Sequence, residues 1–136
     1  MVGHKFLEFL SEHDNRDQFE VITFCEESRL AYDRVQLSAY FSGKTAEDLS
    51  LVEDGFFENN GFKVYLEDKV VSIDRDNKTV TSAKGEVVSY DKLILATGSF
   101  PFVPPIPGKD REECLVYRTI EDLEAITHGA KTSKRG

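Results

Sequence analysis

The chain has no tryptophan, one methionine, two cysteines and three histidines. Each shortage closes off a class of chemistry. Cys25 and Cys114 are far apart and form no Cys-x-x-Cys pair, so neither a zinc site nor a redox dithiol is signalled. They are expected to be reduced, buried thiols. His4, His13 and His128 show no metal-ligand spacing, and no nucleophile and base are placed for covalent catalysis. No apolar run approaches the roughly 20 residues needed to span a bilayer. The opening residues Met1-Val2-Gly3-His4-Lys5 do not read as a signal peptide. Excess positive charge is lacking too: the net charge is -8, which disfavours nucleic acid and anionic membrane as partners. A cytoplasmic location is expected.

What is present is an ordinary globular composition, 40% hydrophobic and 31% charged over 136 residues, enough for one domain with a core. Its centre is Leu93-Ile94-Leu95-Ala96-Thr97-Gly98. A short continuous apolar run suits a strand buried on both faces of a parallel sheet. Thr97 and Gly98 then lie at the carboxyl end, where open α/β sheets bind ligands, and a glycine admits close backbone approach. The other reading is a core strand followed by a plain loop. Pro101, Pro104, Pro105 and Pro107 follow, so the chain leaves the sheet there in extended form.

Val2, Phe6, Phe9 and Leu10 fall on one helical face at the start of the chain. Glu20 to Cys25 reads as a strand, followed directly by Glu26 and Glu27. Gln36 to Phe41 reads as a short helix ending at Gly43. Ser50-Leu51-Val52-Glu53 fits a capping box for a helix running to Asn60 and stopping at Gly61. Phe56 and Phe57 are expected in the core, and Phe62 to Leu66 forms a strand. Val70 to Asp74, Thr79 to Ala83 and Glu86 to Tyr90, separated by turn residues, read as an antiparallel meander. Leu115 to Tyr117 suggests one more strand. Thr119 caps a last helix with Asp122 at N3, ending at Gly129, and 130–136 reads as a basic tail.

Strand, acid, helix, strand, meander and buried strand make up an α/β, Rossmann-like half-fold with an antiparallel β-meander insertion. The strand that normally precedes the first helix is missing. It would lie between the strand at Val21 to Phe24 and Leu93 to Ala96, leaving two open edges. The slot is expected to be filled by another segment or another chain, or the sheet to collapse around a gap. Direct pairing of the two flanking strands would contradict this order.

Four motifs carry a family resemblance: Phe24-Cys25-Glu26-Glu27, Ala31-Tyr32-Asp33-Arg34-Val35-Gln36-Leu37-Ser38, Tyr90-Asp91-Lys92-Leu93-Ile94-Leu95-Ala96-Thr97-Gly98-Ser99, and Val116-Tyr117-Arg118-Thr119-Ile120-Glu121-Asp122-Leu123. In order and spacing the chain resembles the FAD-binding domain of pyridine nucleotide-disulfide oxidoreductase-type flavoproteins. Within that group it looks most like NAD(P)H-dependent nitrite reductases, large-subunit type. Rubredoxin and ferredoxin reductases of the group carry Tyr-Asp-Arg-Pro-Pro-Leu-Ser-Lys. Here Val35 and Gln36 replace the prolines and Ala39 the lysine, so any flavin contact of that lysine is lost or supplied elsewhere.

The resemblance implies that Met1-Val2-Gly3-His4 falls inside a Gly-x-Gly-Met-Val-Gly-His motif, with Gly3 as the third glycine, the one that packs helix against strand. It implies truncation at both ends: residues 1–129 as a partial FAD-binding domain, and 130–136 leading toward an absent NAD(P)-binding domain. Self-association through the open edges follows as an expectation. The implied cofactor is FAD, held by Gly3, Glu26, Arg34, Val70, Thr97 and Gly98. Glu26 takes the adenosine ribose hydroxyls or is a solvated acid. Arg34 neutralises the pyrophosphate or makes a surface ion pair. The backbone of Val70 meets the adenine, and Thr97 and Gly98 offer backbone approach. Arg118 carries over least well, with a structural salt bridge as its alternative, and His4 is expected to be structural. No catalytic residue is assigned. In the parent type, NAD(P)H reduces FAD and electrons pass through an iron–sulfur cluster to siroheme, where nitrite becomes ammonia. The alternatives are the FAD domain of a rubredoxin- or ferredoxin-type reductase, or a remnant binding no cofactor.

Overall fold

A computed structural model describes residues 1–133. It divides into two compact units, Met1–Tyr32 with Leu51–Ala96, and Asp33–Ser50 with the described part of Thr97–Gly136.

In the first unit, α1 (Val2–Ser11) leads to β1 (Ile22–Phe24), α2 (Phe56–Asn59), β2 (Lys63–Tyr65) and the strands β3 (Val70–Asp74), β4 (Thr79–Ser82) and β5 (Val87–Ser89). β1 and β2 pair in parallel, Thr23 opposite Val64. The meander forms as expected, in the order β3-β4-β5 and antiparallel throughout, with a register shift between Val70 and Ser72. The core gathers Leu7, Phe57 and Phe62, with Leu10, Val21, Leu30, Val52, Phe56 and Val64 packed against it.

The face α1 turns inward is not the expected one. Leu7 and His4 are buried, whereas Val2, Phe6 and Phe9 are exposed. Periodicity alone placed four apolar residues on a stripe, but the residue that satisfies a backbone carbonyl is His4. Its Nε2 donates to the Leu51 carbonyl at 2.9 Å, and its ring meets Phe56 edge-on with centroids 5.0 Å apart. The structural role expected of His4 holds.

The capping box at Ser50 does not form. The amide of Leu51 donates to the Ala31 carbonyl, which holds the chain extended there. Gly55, at φ +75, then starts a helix of four residues only. Cys25 and Cys114 share no disulfide, and neither is buried as expected: Cys25 is half-buried and Cys114 exposed.

The largest correction concerns Leu93–Ala96. No strand is assigned there, and Leu93, Ile94 and Leu95 are 38%, 54% and 66% exposed. A run expected to be covered on both faces is open because no described segment offers it a ladder. It is not paired with β1, whose one partner among the described residues is β2. No ladder joins the two segments expected to flank the slot, and the second of them is not a strand.

In the second unit, a 3-10 helix spans Arg34–Ser42 where a short helix was expected, and a 3-10 turn covers Glu47–Leu49. Asp33 caps the longer one, accepting from the amides of Val35 and Gln36, and Gly43 ends it at φ +95. α3 (Ile120–Thr132) opens with the expected capping box between Thr119 and Asp122. It passes through Gly129 to Thr132, because glycine lowers helix stability without ending a helix. The rest of the basic tail, 134–136, lies outside the described residues. α3 packs on the Arg34–Ser42 helix, and Leu37, Leu49, Ile120 and Leu123 are buried. Leu115–Tyr117 is not a strand; Leu115 and Tyr117 are about half exposed.

Candidate functional site

The six candidate residues divide evenly. Gly3, Glu26 and Val70 belong to the first unit, and Arg34, Thr97 and Gly98 to the second.

In the first unit, Gly3 lies in the opening turn of α1. A Cβ added there would stand 3.2 Å from the Cβ of Ala96. That approach is tighter than ordinary van der Waals contact, so a side chain at this position would have to displace Ala96 slightly.

Glu26 follows β1 by two residues and so sits past the carboxyl end of a parallel strand. Its Oε1 accepts from Lys69 Nζ at 3.2 Å, both side chains being about half exposed. Backbone bonds fix the segment around it. The Cys25 amide donates to the Tyr65 carbonyl at 2.8 Å, the Asp68 amide to the Cys25 carbonyl at 2.9 Å and the Glu67 amide to the Glu27 carbonyl at 3.0 Å. Glu67 takes φ +53 to make this connection. Val70 begins β3 one residue after Lys69 and is half-buried. Glu26 and Val70 are thus brought to one place by the Glu67–Lys69 loop. Neither Lys69 nor Asp68 was legible as part of the site, because nothing in their sequence spacing announces a contact 43 residues away.

In the second unit, Gly98 has φ +69, and a Cβ there would stand 3.3 Å from Arg118 Nη2. Arg118 Nη1 donates to Ser99 Oγ at 3.2 Å, its amide donates to Asp122 Oδ2 at 2.9 Å, and its carbonyl accepts from Arg34 Nη1 at 3.2 Å. The Arg118 guanidinium therefore reaches a left-handed glycine and a serine hydroxyl, and the Arg34 guanidinium holds the Arg118 backbone. Planar donor forks beside exposed backbone suit a phosphate-bearing ligand. Arg34 is delivered by the cap of its own helix. The Asp33 carboxyl lies below its ordinary pKa because Gln36 donates to it, helped by the Val35 and Gln36 amides, against a desolvation penalty. Arg118, the weakest candidate in the sequence, stands nearer the glycine than any other contact found for it.

The histidine and acid residues form no cluster able to hold a metal ion among the described residues. Taken unit by unit, an acid past the carboxyl end of a parallel strand is chemistry suited to hydroxyl groups, and a left-handed glycine beside an arginine is chemistry suited to a phosphate.

The chain is similar to known proteins along its whole length. The large subunit of NADH nitrite reductase from Escherichia coli (strain K12) is 54% identical over 136 residues, all of this chain and 16% of that protein. A nitrite reductase [NAD(P)H] from Emericella nidulans is 40% identical over 98% of the chain and 13% of its own length. Among solved structures, NADH:rubredoxin oxidoreductase from Clostridium acetobutylicum superposes with a TM-score of 0.74 at 28% identity, covering 82% of this chain and 29% of that one. The chain thus spans about one sixth of the length of the first of these relatives. The sequence model of the pyridine nucleotide-disulphide oxidoreductases matches residues 3–135, and the chain belongs to that family.

Proposed function

We propose that this chain supplies part of the FAD cradle of an NAD(P)H-dependent nitrite reductase. The observation that carries the reading is the unbroken likeness to the NADH nitrite reductase large subunit over every residue of the chain. Glu26 would hold the adenosine ribose, the Val70 backbone the adenine, and Arg34 the pyrophosphate. Gly3, Thr97 and Gly98 would admit close backbone approach. FAD, when bound, accepts hydride from NAD(P)H and releases electrons singly, here toward an iron–sulfur and siroheme centre that reduces nitrite to ammonia. This chain's residues bind and orient; none of them is assigned a chemical step. Residues 1–129 are the cofactor-binding part, and 130–136 the connection toward an NAD(P)-binding domain. The location proposed is cytoplasmic. It is supported by the acidic composition and by the absence, among the described residues, of any helix long and apolar enough to cross a membrane.

A second reading is favoured by Leu93–Ala96. Its exposed side chains leave the strand that should lead into Thr97 and Gly98 without a ladder. On this reading the chain by itself binds no cofactor, and its open edges promote self-association. The likeness to a rubredoxin reductase keeps that reductase type as the alternative within the family.

The deciding experiment incubates the purified chain with FAD, removes free flavin and records the spectrum. Retained absorbance near ~450 nm is expected for bound oxidised flavin. Colourless protein would overturn cofactor binding by this chain. Sedimentation velocity on the same sample tests self-association, which a monomer at every concentration would exclude.

A further inference from the structure

We propose that Asp68 is a positioning residue for the ribose end of the site, acting through Glu26. The proposal rests on the nucleotide-binding reading above.

Asp68 is 1% exposed, among the most completely buried side chains of the chain, although it carries a carboxylate. Burying such a group is costly unless it is hydrogen-bonded. Its Oδ1 accepts from the Lys84 amide at 3.0 Å, while Oδ2 has no hydrogen-bond partner. The described work of the side chain is therefore a single bond, which ties the turn after β4 to the loop before β3. Three further bonds close the same bracket. The Ala83 amide donates to the Lys69 carbonyl at 2.8 Å, Lys84 Nζ donates to the Leu66 carbonyl at 3.2 Å, and the Asp68 amide donates to the Cys25 carbonyl at 2.9 Å.

The Asp68 amide thus grips the residue before Glu26. Its carboxylate grips the meander, and its neighbour Lys69 holds the Glu26 carboxylate. Glu67, strained at φ +53, adds the bond to Glu27. Residues 25–27 carry no regular secondary structure of their own. The backbone on either side of Glu26 is held by this loop through the Cys25 and Glu27 carbonyls, and the buried carboxylate of Asp68 is one of the groups that fix the loop. Removing that carboxylate takes away one of the bonds that tie the turn at Lys84 to the loop and loosens the hold on Glu26.

The test uses the whole chain with ADP as the probe, by isothermal titration calorimetry, and 2′,3′-dideoxy-ADP as the probe without ribose hydroxyls. D68A should weaken ADP about tenfold, a change of the size a lost charge-assisted contact produces. D68N, which keeps an acceptor for the Lys84 amide, should stay within about threefold of the wild type. The loss in D68A should vanish with dideoxy-ADP and in the E26Q background, since coupled residues are non-additive. Equal loss with both probes would show a purely structural role and overturn the proposal, as would a tenfold loss in D68N. Wild-type binding with D68A unchanged overturns this inference and leaves the nucleotide reading standing; no ADP binding by the wild type overturns both. Should D68A not fold, hydrogen exchange of the wild-type chain decides. ADP should slow exchange of the Glu67, Asp68 and Lys84 amides together, and unchanged exchange there would refute the coupling.

Discussion

Arg118 Nη2 lies 3.3 Å from the point where a Cβ on Gly98 would stand, and Gly98 itself has φ +69. The two facts predict different things about Gly98→Ala. The guanidinium is the far end of a flexible side chain and can shift. The backbone conformation cannot be relieved that way, because a left-handed alanine costs about 1–2 kcal/mol. G98A should therefore lose about that much stability in urea denaturation, and adding R118A should recover little of it. An unchanged midpoint in G98A would show that the left-handed conformation is not held in solution.

The ion pair between Glu26 and Lys69 is about half exposed on both sides. Pairs of that kind contribute about 0–1 kcal/mol. Lys69→Met should leave the thermal midpoint nearly unchanged, and E26A likewise. FAD retention should separate the two variants: lost in E26A and kept in K69M, since Lys69 occupies only one carboxylate oxygen. A large stability loss in E26A would make Glu26 a structural residue instead of a ligand-binding one.

His4 joins α1 to the extended Leu51 segment through a hydrogen bond of 2.9 Å and an edge contact with Phe56. Nε2 faces a carbonyl and must donate, which leaves Nδ1 buried without a partner. His4→Ala should cost about 2–3 kcal/mol, combining a lost buried hydrogen bond with lost packing. Denaturation curves measure it, and a loss within ~0.5 kcal/mol, the ordinary range of surface substitutions, would deny His4 its structural role.

Acid should destabilise the fold through its turn and cap aspartates. Asp74 lies below the ordinary value of 3.8 because the Asn77 amide and side chain donate to it, joined by the Asp76 amide. Asp33 is lowered mainly by Gln36, and Asp48 by the amide and hydroxyl of Thr45. A folded-state pKa below the unfolded one means that the unfolded chain binds protons first. The stabilisation is complete above the unfolded value and disappears as pH falls through the lower folded value. Stability from urea curves should thus be flat from pH 7 to about 5 and decline below about 4. D74N should flatten part of that decline; an identical decline in D74N would show that Asp74 is not among its causes.

Much of the architecture was legible in local signals. The Thr119–Asp122 capping box, the turn residues of the meander and the glycine at position 43 each act within a few residues, and each formed. The Ser50–Glu53 pattern is equally local but did not form: the Ser50 amide that Glu53 would have taken donates to the Glu47 carbonyl, and the helix starts only at Phe56. The apolar stripe of α1 was real as a pattern, yet the structure buried His4 in place of Phe9 because a carbonyl needed a donor. In the candidate site, glycines and an acid after a strand were readable from residue type and order. Lys69 and Asp68 were not, since both act across contacts closed only by the fold.

By itself, then, the sequence determined the acidic charge, the short-range caps and turns, and the motifs that place the chain among the pyridine nucleotide-disulphide oxidoreductases. It also presented Leu93–Ala96 as a strand, because apolar runs of that length want a covered ladder position. Only the tertiary structure decided that this run is open, because a strand needs backbone partners supplied by another segment, and no run of side chains can supply them for itself.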